Sequence, residues 1–314
     1  MNTPTESILV TGATGTHGGT GRKIVELLRQ QALPVRAMVH RVDERCDALH
    51  KLGAEIVAAD FFDFESLLQA MKGTKRAYFC YPVGAGIVEA TVNFVAAAKR
   101  SGVDYLVNNS MPVAHPSSPS PLARAQWLSE QVLDWSGICC IHVRGGFFFE
   151  NILLMAEESI VRDQVIENGF GSAPIVWAAA EDVARVSALV LERREPNENM
   201  ALLVTGGELL SFPQIAERFS AALGRPVEYV DTGDDYEAWK TKMVENLRIP
   251  PAMRDHLVGI AKMVKSIKEP RRPEDTVTRL TGSRAISFDA FLNIHRERLA
   301  ARLAERRAFR AVTG

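Results

Sequence analysis

Glycines at positions 12, 15 and 18, with two more at 19 and 21, lie between a short apolar run (Ile8, Leu9, Val10) and residues at helical apolar spacing (Ile24, Val25, Leu27, Leu28). Strand, tight glycine turn, helix is an order that suits a pyrophosphate. Glycine lets the main chain approach the anion with no Cβ in the way. The helix N-terminus adds free N–H groups and a positive dipole end. The GxxGxxG spacing makes Gly12, Thr14, Gly15, Thr16, His17 and Gly18 candidate contacts of a dinucleotide. Further candidates stand at the ends of later apolar runs. The run 34–40 ends at His40 and is followed by Arg41. An acid there would bind a ribose 2′-hydroxyl. The forked donors of Arg41 suit a 2′-phosphate instead, which favours NADP(H) over NAD(H). Arg41 also reads as a solvated loop residue, and Asp43 and Glu44 come late for a ribose.

Three more runs end at Tyr81 and Pro82, at Asn109 and Ser110, and at the group Arg144, Phe147, Phe149 and Asn151. Aromatic residues at such ends suit a flat apolar ligand. Phe147 and Phe149 read equally as that surface or as core between two lobes; Phe148 reads as core. Met111 and His115 sit on the loop 111–121, which carries four prolines. His115 is the one side chain of that loop able to move a proton near neutral pH, so it is a candidate general acid; the alternative is a surface histidine. Arg144 reads as a strut from a strand end to a loop carboxylate or carbonyl. His17, His40, His115 and His142 show no metal-ligand spacing.

The elements that must position these residues alternate. Strands are expected at 34–40, 54–59, 76–81, 103–108 and 138–143, with helices at 45–52, 64–71, 86–101 and 122–135. This pattern specifies an α/β fold: a Rossmann-type doubly wound parallel sheet, covered on both faces. Residues 1–150 form the nucleotide-binding domain of this reading. Residues 151–314 form a smaller, mostly helical lobe whose chain crosses back to the sheet near 175–205. Within it, helices are expected at 151–166, 178–191 and 211–223, the last with Ser211 as N-cap and Gly224 as stop. Strands are expected at 201–204 and 227–230. A final helix from about 287 places Phe288, Phe291, Leu292, His295, Leu299 and Leu303 on one stripe.

The chain has 314 residues, 46% of them hydrophobic and 24% charged, with a net charge of −1. That balance argues against nucleic acid or an anionic membrane as the partner. No run approaches a membrane span and no leader pattern opens the chain, so the cytoplasm is the expected compartment. Four cysteines, Cys46, Cys80, Cys139 and Cys140, have no CxxC spacing and read as free thiols. The C-terminal arginines (Arg296, Arg298, Arg302, Arg306, Arg307, Arg310) read as a solvated helix end.

TGATGTHG, VRAMVHR, GAEIVAADFFD, WSGICCIHVRGGFFFEN, EDVA and LLVTGGELLSFPQIAERFSAALGRPVEYV, in that order, resemble the NmrA-like family of atypical short-chain dehydrogenase/reductases, over about 7 to 300. The resemblance implies an NAD(P)-binding Rossmann domain with a lobe closing over a cleft. It implies either a reductase or a cofactor-ratio sensor working through a protein partner. By this resemblance Asp60 and Phe61 flank the adenine, although Asp60 also reads as a helix cap. His40 stands where the family's usual Arg lies.

Ordinary members of the superfamily carry Tyr-x-x-x-Lys on the helix after the fifth strand. Residues 110–136 hold neither Tyr nor Lys, and Gln126 takes the place of the family Lys. The Tyr236/Lys240 pair lies far from that register. Two readings follow. Hydride passes from the cofactor to a small, flat apolar acceptor, quinone-like or azo, that needs little acid catalysis, or the protein binds cofactor as a sensor. An isomerase or dehydratase with fixed NADP is a third. A homo-oligomer or a regulatory protein partner stays open on sequence alone.

Overall fold

The computed structural model describes residues 6–15, 19–247 and 249–313, with side chains of 244–247 and 304–313 left out. Thr16, His17 and Gly18 of the glycine turn therefore lie outside the described residues, as do the side chains of Arg306, Arg307 and Arg310. The chain begins with β1 (Ser7–Val10), α1 (Thr20–Gln30), β2 (Val35–Val39), a 3-10 turn at Glu44–Cys46, α2 (Asp47–Lys51) and β3 (Glu55–Ala58). It continues through α3 (Phe64–Met71), β4 (Thr74–Phe79), α4 (Ile87–Ser101), β5 (Tyr105–Ser110), α5 (Pro121–Trp135) and β6 (Cys139–Gly145). Next come β7 (Phe147–Phe148), α6 (Phe149–Asp163), β8 (Val165–Asn168), β9 (Ile175–Ala178), α7 (Ala180–Arg193) and β10 (Met200–Val204). The last elements are β11 (Leu209–Leu210), α8 (Phe212–Leu223), β12 (Glu228–Asp231), α9 (Tyr236–Leu247), α10 (Pro251–Ser266), α11 (Thr276–Thr281) and α12 (Phe288–Thr313).

Seven strands form one sheet in the order β10-β6-β5-β4-β1-β2-β3. Every pairing in it is parallel. Parallel strands demand crossovers, and the crossovers bury both faces. In β1, Ile8 and Val10 pack with Ile24 and Val25 of α1 and Val183 of α7. Leu9 points the other way, against Phe94 of α4 and Leu133 of α5. The doubly wound Rossmann-type expectation is met. Cys139 and Cys140 divide between the two faces as a strand requires, and all four cysteines are free thiols. A separate aromatic core gathers around Phe149, Phe170, Trp177, Phe212 and Phe288. Among the described residues no helix is long and apolar enough to cross a membrane.

Three expectations need correction. The strands expected at 76–81 and 103–108 run instead over Thr74–Phe79 and Tyr105–Ser110. Asn109 and Ser110 thus lie inside β5, because β6 offers ladder partners there and Ser110 pairs in register with Arg144. The helix expected to reach 166 stops at Asp163, where Gln164 takes a φ of 62°. Two small sheets, β11-β9-β7 and β12-β8, complete the molecule; β12 answers the strand expected at 227–230, whereas β7, β8, β9 and β11 occupy stretches read as loop or helix. With two residues each, β7 and β11 are too short to show a period.

Candidate active site

The strand order reverses between β1 and β4, since β2 and β3 continue on one side of β1 and β4 to β6 on the other. The crevice at the C-terminal ends of those two strands is where open α/β sheets bind ligands. Thr11 fixes its floor. Its hydroxyl accepts the Cys80 N–H at 2.8 Å and donates to the Cys80 carbonyl at 3.1 Å. Gly12 turns away from β1 with a φ of +69°, which favours glycine. The Gly15 N–H closes the turn on the Gly12 carbonyl at 3.1 Å. Gly21 completes the cradle: a Cβ there would lie 2.6 Å from the Gly12 carbonyl oxygen, so α1 packs directly on the turn's backbone.

The first turn of α1 holds no acid, and its N-cap, Gly19, offers no side-chain acceptor. Asp63, Ser120 and Ser211 do cap α3, α5 and α8. The uncapped N–H groups of α1 and the glycine cradle fit a pyrophosphate. Thr14 is half-buried beside them.

At the end of β2, His40 and Arg41 are both exposed. Asp43, the nearest following acid, is consumed locally. It accepts the Arg45 N–H at 3.0 Å and pairs with the Arg45 guanidinium at 2.6 Å. That hydrogen bond from Arg45 lowers the Asp43 carboxyl below its ordinary value. The Arg41 side chain makes no hydrogen bond or ion pair among the described residues. Asp60 lies with one carboxylate oxygen 3.8 Å from His40 Nδ1. Its other oxygen accepts the Phe62 N–H at 2.9 Å, closing a turn. The helix-cap reading of Asp60 is corrected: Asp63 caps α3, accepting from Glu65 and Ser66. Phe61 packs edge-on to Tyr81, with ring centroids 5.4 Å apart. Tyr81 donates to the Ala85 carbonyl at 3.0 Å, and burial pushes its phenol up. Pro82 is exposed beside it, as is Phe62, which a sequence reading passes over because nothing distinguishes it from Phe61.

The other end of the crevice is built from side chains. Asn109 donates to Cys80 Sγ at 3.6 Å, while its Oδ1 is buried with no partner. Gln126, 4% exposed, reaches back from α5 to the Asn109 carbonyl at 3.4 Å. One turn further along α5, Glu130 accepts from the Ser110 hydroxyl at 2.6 Å. It also takes Arg144 side-on, Nε at 2.9 Å and Nη2 at 2.5 Å. Arg144 is therefore tied to a helix carboxylate, not to the loop group expected. Glu130 escapes a sequence reading because its partners lie on two different strands. The available signal is the i, i+4 spacing of Gln126 and Glu130 on one buried helix face. Burial pushes the Cys80 thiol up to about 11, opposed in part by hydrogen bonds with Asn109 and Tyr78.

The loop over these strand ends begins at half-buried Met111, whose carbonyl accepts the Ala114 N–H. His115 is exposed and its Nδ1 accepts the Ser117 N–H at 3.1 Å. The loop ends at Ser120, which caps α5 and meets His256 of α10 at 2.7 Å. Burial pushes His256 down to about 4. Phe147 is half-buried, with its ring 5.1 Å from Trp177 and 5.5 Å from Phe170. Phe149 is 1% exposed among Trp177, Phe288 and Phe291. It is core, which corrects the ligand-facing alternative. Phe148 packs on the sheet core as expected. Asn151 is half-buried on the first turn of α6. Beside it Glu150, also passed over in sequence, accepts the Ala180 N–H at the start of α7, and burial pushes its carboxyl up to about 7.

Tyr236 and Lys240 are not a catalytic pair: Tyr236 donates to Asp234, and Lys240 pairs with Glu237 and Asp255. Arg298 and Arg302 clamp α12 to Glu157 of α6.

These features have relatives. The chain is 31% identical over 299 residues to an NAD(P)H azoreductase of Xenophilus azovorans, covering 92% of this chain and 97% of that one. Its fold matches the NADPH complex of an NADPH-dependent quinone oxidoreductase from Escherichia coli, with a TM-score of 0.77 at 22% identity, covering 91% and 98% of the two chains. It matches a Citrobacter sp. triphenylmethane reductase complexed with NADP(H) equally well, with a TM-score of 0.77 at 22% identity and 91% and 99% coverage. The model of the NmrA-like family matches residues 4–286, and the chain belongs to that family.

Proposed function

We propose that the protein is an NAD(P)H-dependent reductase that passes hydride to a small, flat apolar acceptor such as a quinone or an azo compound, and that it prefers NADP(H). The observation that carries this reading is the crevice at the β1/β4 reversal, with its glycine cradle, uncapped α1 N-terminus and basic β2 end. The names of the azoreductase and quinone oxidoreductase relatives support it.

Gly12, Thr14 and Gly15, with Thr16, His17 and Gly18 assigned by sequence alone, hold the pyrophosphate against α1. His40 and Arg41 receive the 2′-phosphate, because Arg45 occupies the acid that would prefer a hydroxyl. Asp60, Phe61, Tyr81 and Pro82 border the adenosine. Asn109, Ser110 and Gln126 face the nicotinamide half, and Met111, Phe147 and Asn151 the acceptor.

A reduced nicotinamide supplies hydride when bound. The chain itself supplies little acid. The Ser110 hydroxyl is committed to Glu130, the Cys80 thiol is held protonated by burial, and the Tyr81 phenol is committed to Ala85. His115 is the remaining titratable candidate; it is exposed, and its Nδ1 accepts the Ser117 N–H. Water completes the proton balance. Mixing the protein with NADPH and a panel of quinones and azo dyes tests the reading. Loss of the nicotinamide absorbance is expected; confirmed NADPH binding without that loss counts against it.

A sensor working through a protein partner is the second reading, favoured by Gln126 where the family has a lysine. A sensor must bind oxidised and reduced cofactor with different affinities. Equal affinities by calorimetry would remove it.

A further inference from the structure

Hydride arriving at a conjugated carbonyl leaves an electron pair to accommodate. In a dry site that charge needs a fixed cation or donor aimed at it. Gln126 carries no charge and its amide already donates to the Asn109 carbonyl, so a cation is sought elsewhere. Arg144 is the penultimate residue of β6 and the register partner of Ser110. Along β6, Val143 faces the α1 side of the sheet, so Arg144 faces the α5 side, where Gln126 and Glu130 stand.

Glu130 grips Nε and Nη2 and fixes the guanidinium plane. Nη1 has no hydrogen-bond partner among the described residues. The Arg144 side chain is 27% exposed and that of Glu130 only 1%, so the pair is closed on the Glu130 side while Arg144 keeps accessible surface. A guanidinium held this way is already oriented and only partly hydrated, and it stabilises a facing anion more strongly than a free arginine in water.

We propose that Arg144 is a catalytic residue that receives the oxyanion formed on the acceptor, with Glu130 as its positioning residue. Quinones and conjugated carbonyl compounds, whose hydride adducts are anions, are then the acceptors turned over fastest. The proposal rests on the reductase reading above. A new bond to hydrogen forms at one end of the conjugated acceptor, and its π electrons move to the oxygen at the other end. The reduced nicotinamide dinucleotide is the two-electron donor and is left oxidised. The Nη1–H group of Arg144 hydrogen-bonds the new oxyanion, and water protonates it afterwards.

The decisive variant is Glu130→Gln with Arg144→Met, which removes both charges and strands neither. Arg144→Lys, which keeps the charge and loses the fork, takes its place if the double variant does not fold. The first readout is the ratio of kcat with a quinone to kcat with a triarylmethyl cation, whose hydride adduct is neutral. The ratio is expected to fall about a hundredfold in the double variant and by less in Arg144→Lys. A purely structural strut would lower both rates together and leave the ratio unchanged.

The second readout needs no turnover. Absorbance titration of bound 4-nitrophenol is expected to show ionisation about one pH unit lower in the unmodified protein than in the variant. An unchanged ratio with identical nitrophenol ionisation overturns the proposal. If the unmodified protein binds NADPH and reduces neither acceptor, the reductase reading fails and the catalytic role of Arg144 falls with it; reduction of both acceptors at a ratio the variants leave unchanged, with identical nitrophenol ionisation, fails Arg144 alone.

Discussion

At the β1/β2 end of the crevice the groups offered to a ligand are mostly main chain: the glycine turn that starts at Gly12 and the uncapped N–H groups of α1. At the β5/β6 end they are side chains drawn from three elements, Asn109 and Ser110 on β5, Gln126 and Glu130 on α5, and Arg144 on β6. The first end is local in sequence and can be made only where glycine permits it. The second depends on pairs 14 to 20 residues apart, Arg144 with Glu130 and Ser110 with Glu130. An anion site built from backbone binds any dinucleotide. A site built from side chains decides what chemistry follows.

The comparison is most strongly tested at Glu130. Glu130→Ala strands the Arg144 guanidinium and the Ser110 hydroxyl, and is expected to cost about 3–5 kcal/mol of stability, read from urea unfolding. A loss below about 1 kcal/mol, the worth of an exposed pair, would mean the network is not the buried unit described. Gly21→Ala attacks the other end. Its Cβ would press on the Gly12 carbonyl, and the cofactor KM is expected to rise by the equivalent of about 1–3 kcal/mol, with the acceptor KM little changed. An unaltered cofactor KM would show that α1 and the turn can separate at no cost.

Glu150 joins the start of α6 to the start of α7 and sharpens the comparison through pH. Burial raises its folded-state value from 4.5 to about 7, so the folded protein holds this proton more tightly than the unfolded chain does. Its stability contribution is therefore full below about pH 4.5 and is lost as pH rises towards 7. Glu150→Gln is expected to raise the melting temperature at pH 8 relative to the unmodified protein, by the equivalent of about 1–3 kcal/mol, and to flatten the slope between the two values. A parallel pH dependence in both proteins would exclude it. The smallest expected effect is at the exposed β2 end. Arg41→Ala should reduce the preference for NADP(H) over NAD(H) about tenfold, measured as the ratio of kcat/KM values. An unchanged ratio would move 2′-phosphate recognition elsewhere.

The parts of the molecule legible in the sequence follow the same division. The strand and helix that flank the glycines, the alternating strands and helices, and the Ser211–Gly224 helix limits are short-range signals, and the structure bears them out. The sheet's seven-strand order was legible only as a class, because register and strand order are set by long-range pairing. β8 directly continues the apolar helical pattern of 151–163, and β9 is a short segment whose sheet partners, β7 and β11, lie far from it in sequence, so neither stands out in the sequence. Phe149 was ambiguous for a physical reason: an aromatic at a strand end can face a ligand or a core, and only the position of Trp177 and Phe288 decides it. Glu130 and Glu150 were passed over because a buried carboxylate looks like a solvated helix acid until its partners are placed.

The account turns on a reductase whose side chains hold the reactants and anchor charge without supplying a titrating acid. Single-turnover oxidation of bound NADPH by a quinone, followed from about pH 6 to about pH 9, tests it most directly. Hydride transfer at a rate that varies little across that range is the predicted result. NADPH that binds and is never oxidised would contradict the account, and so would a rate that falls tenfold per pH unit with an acid limb removed by His115→Ala.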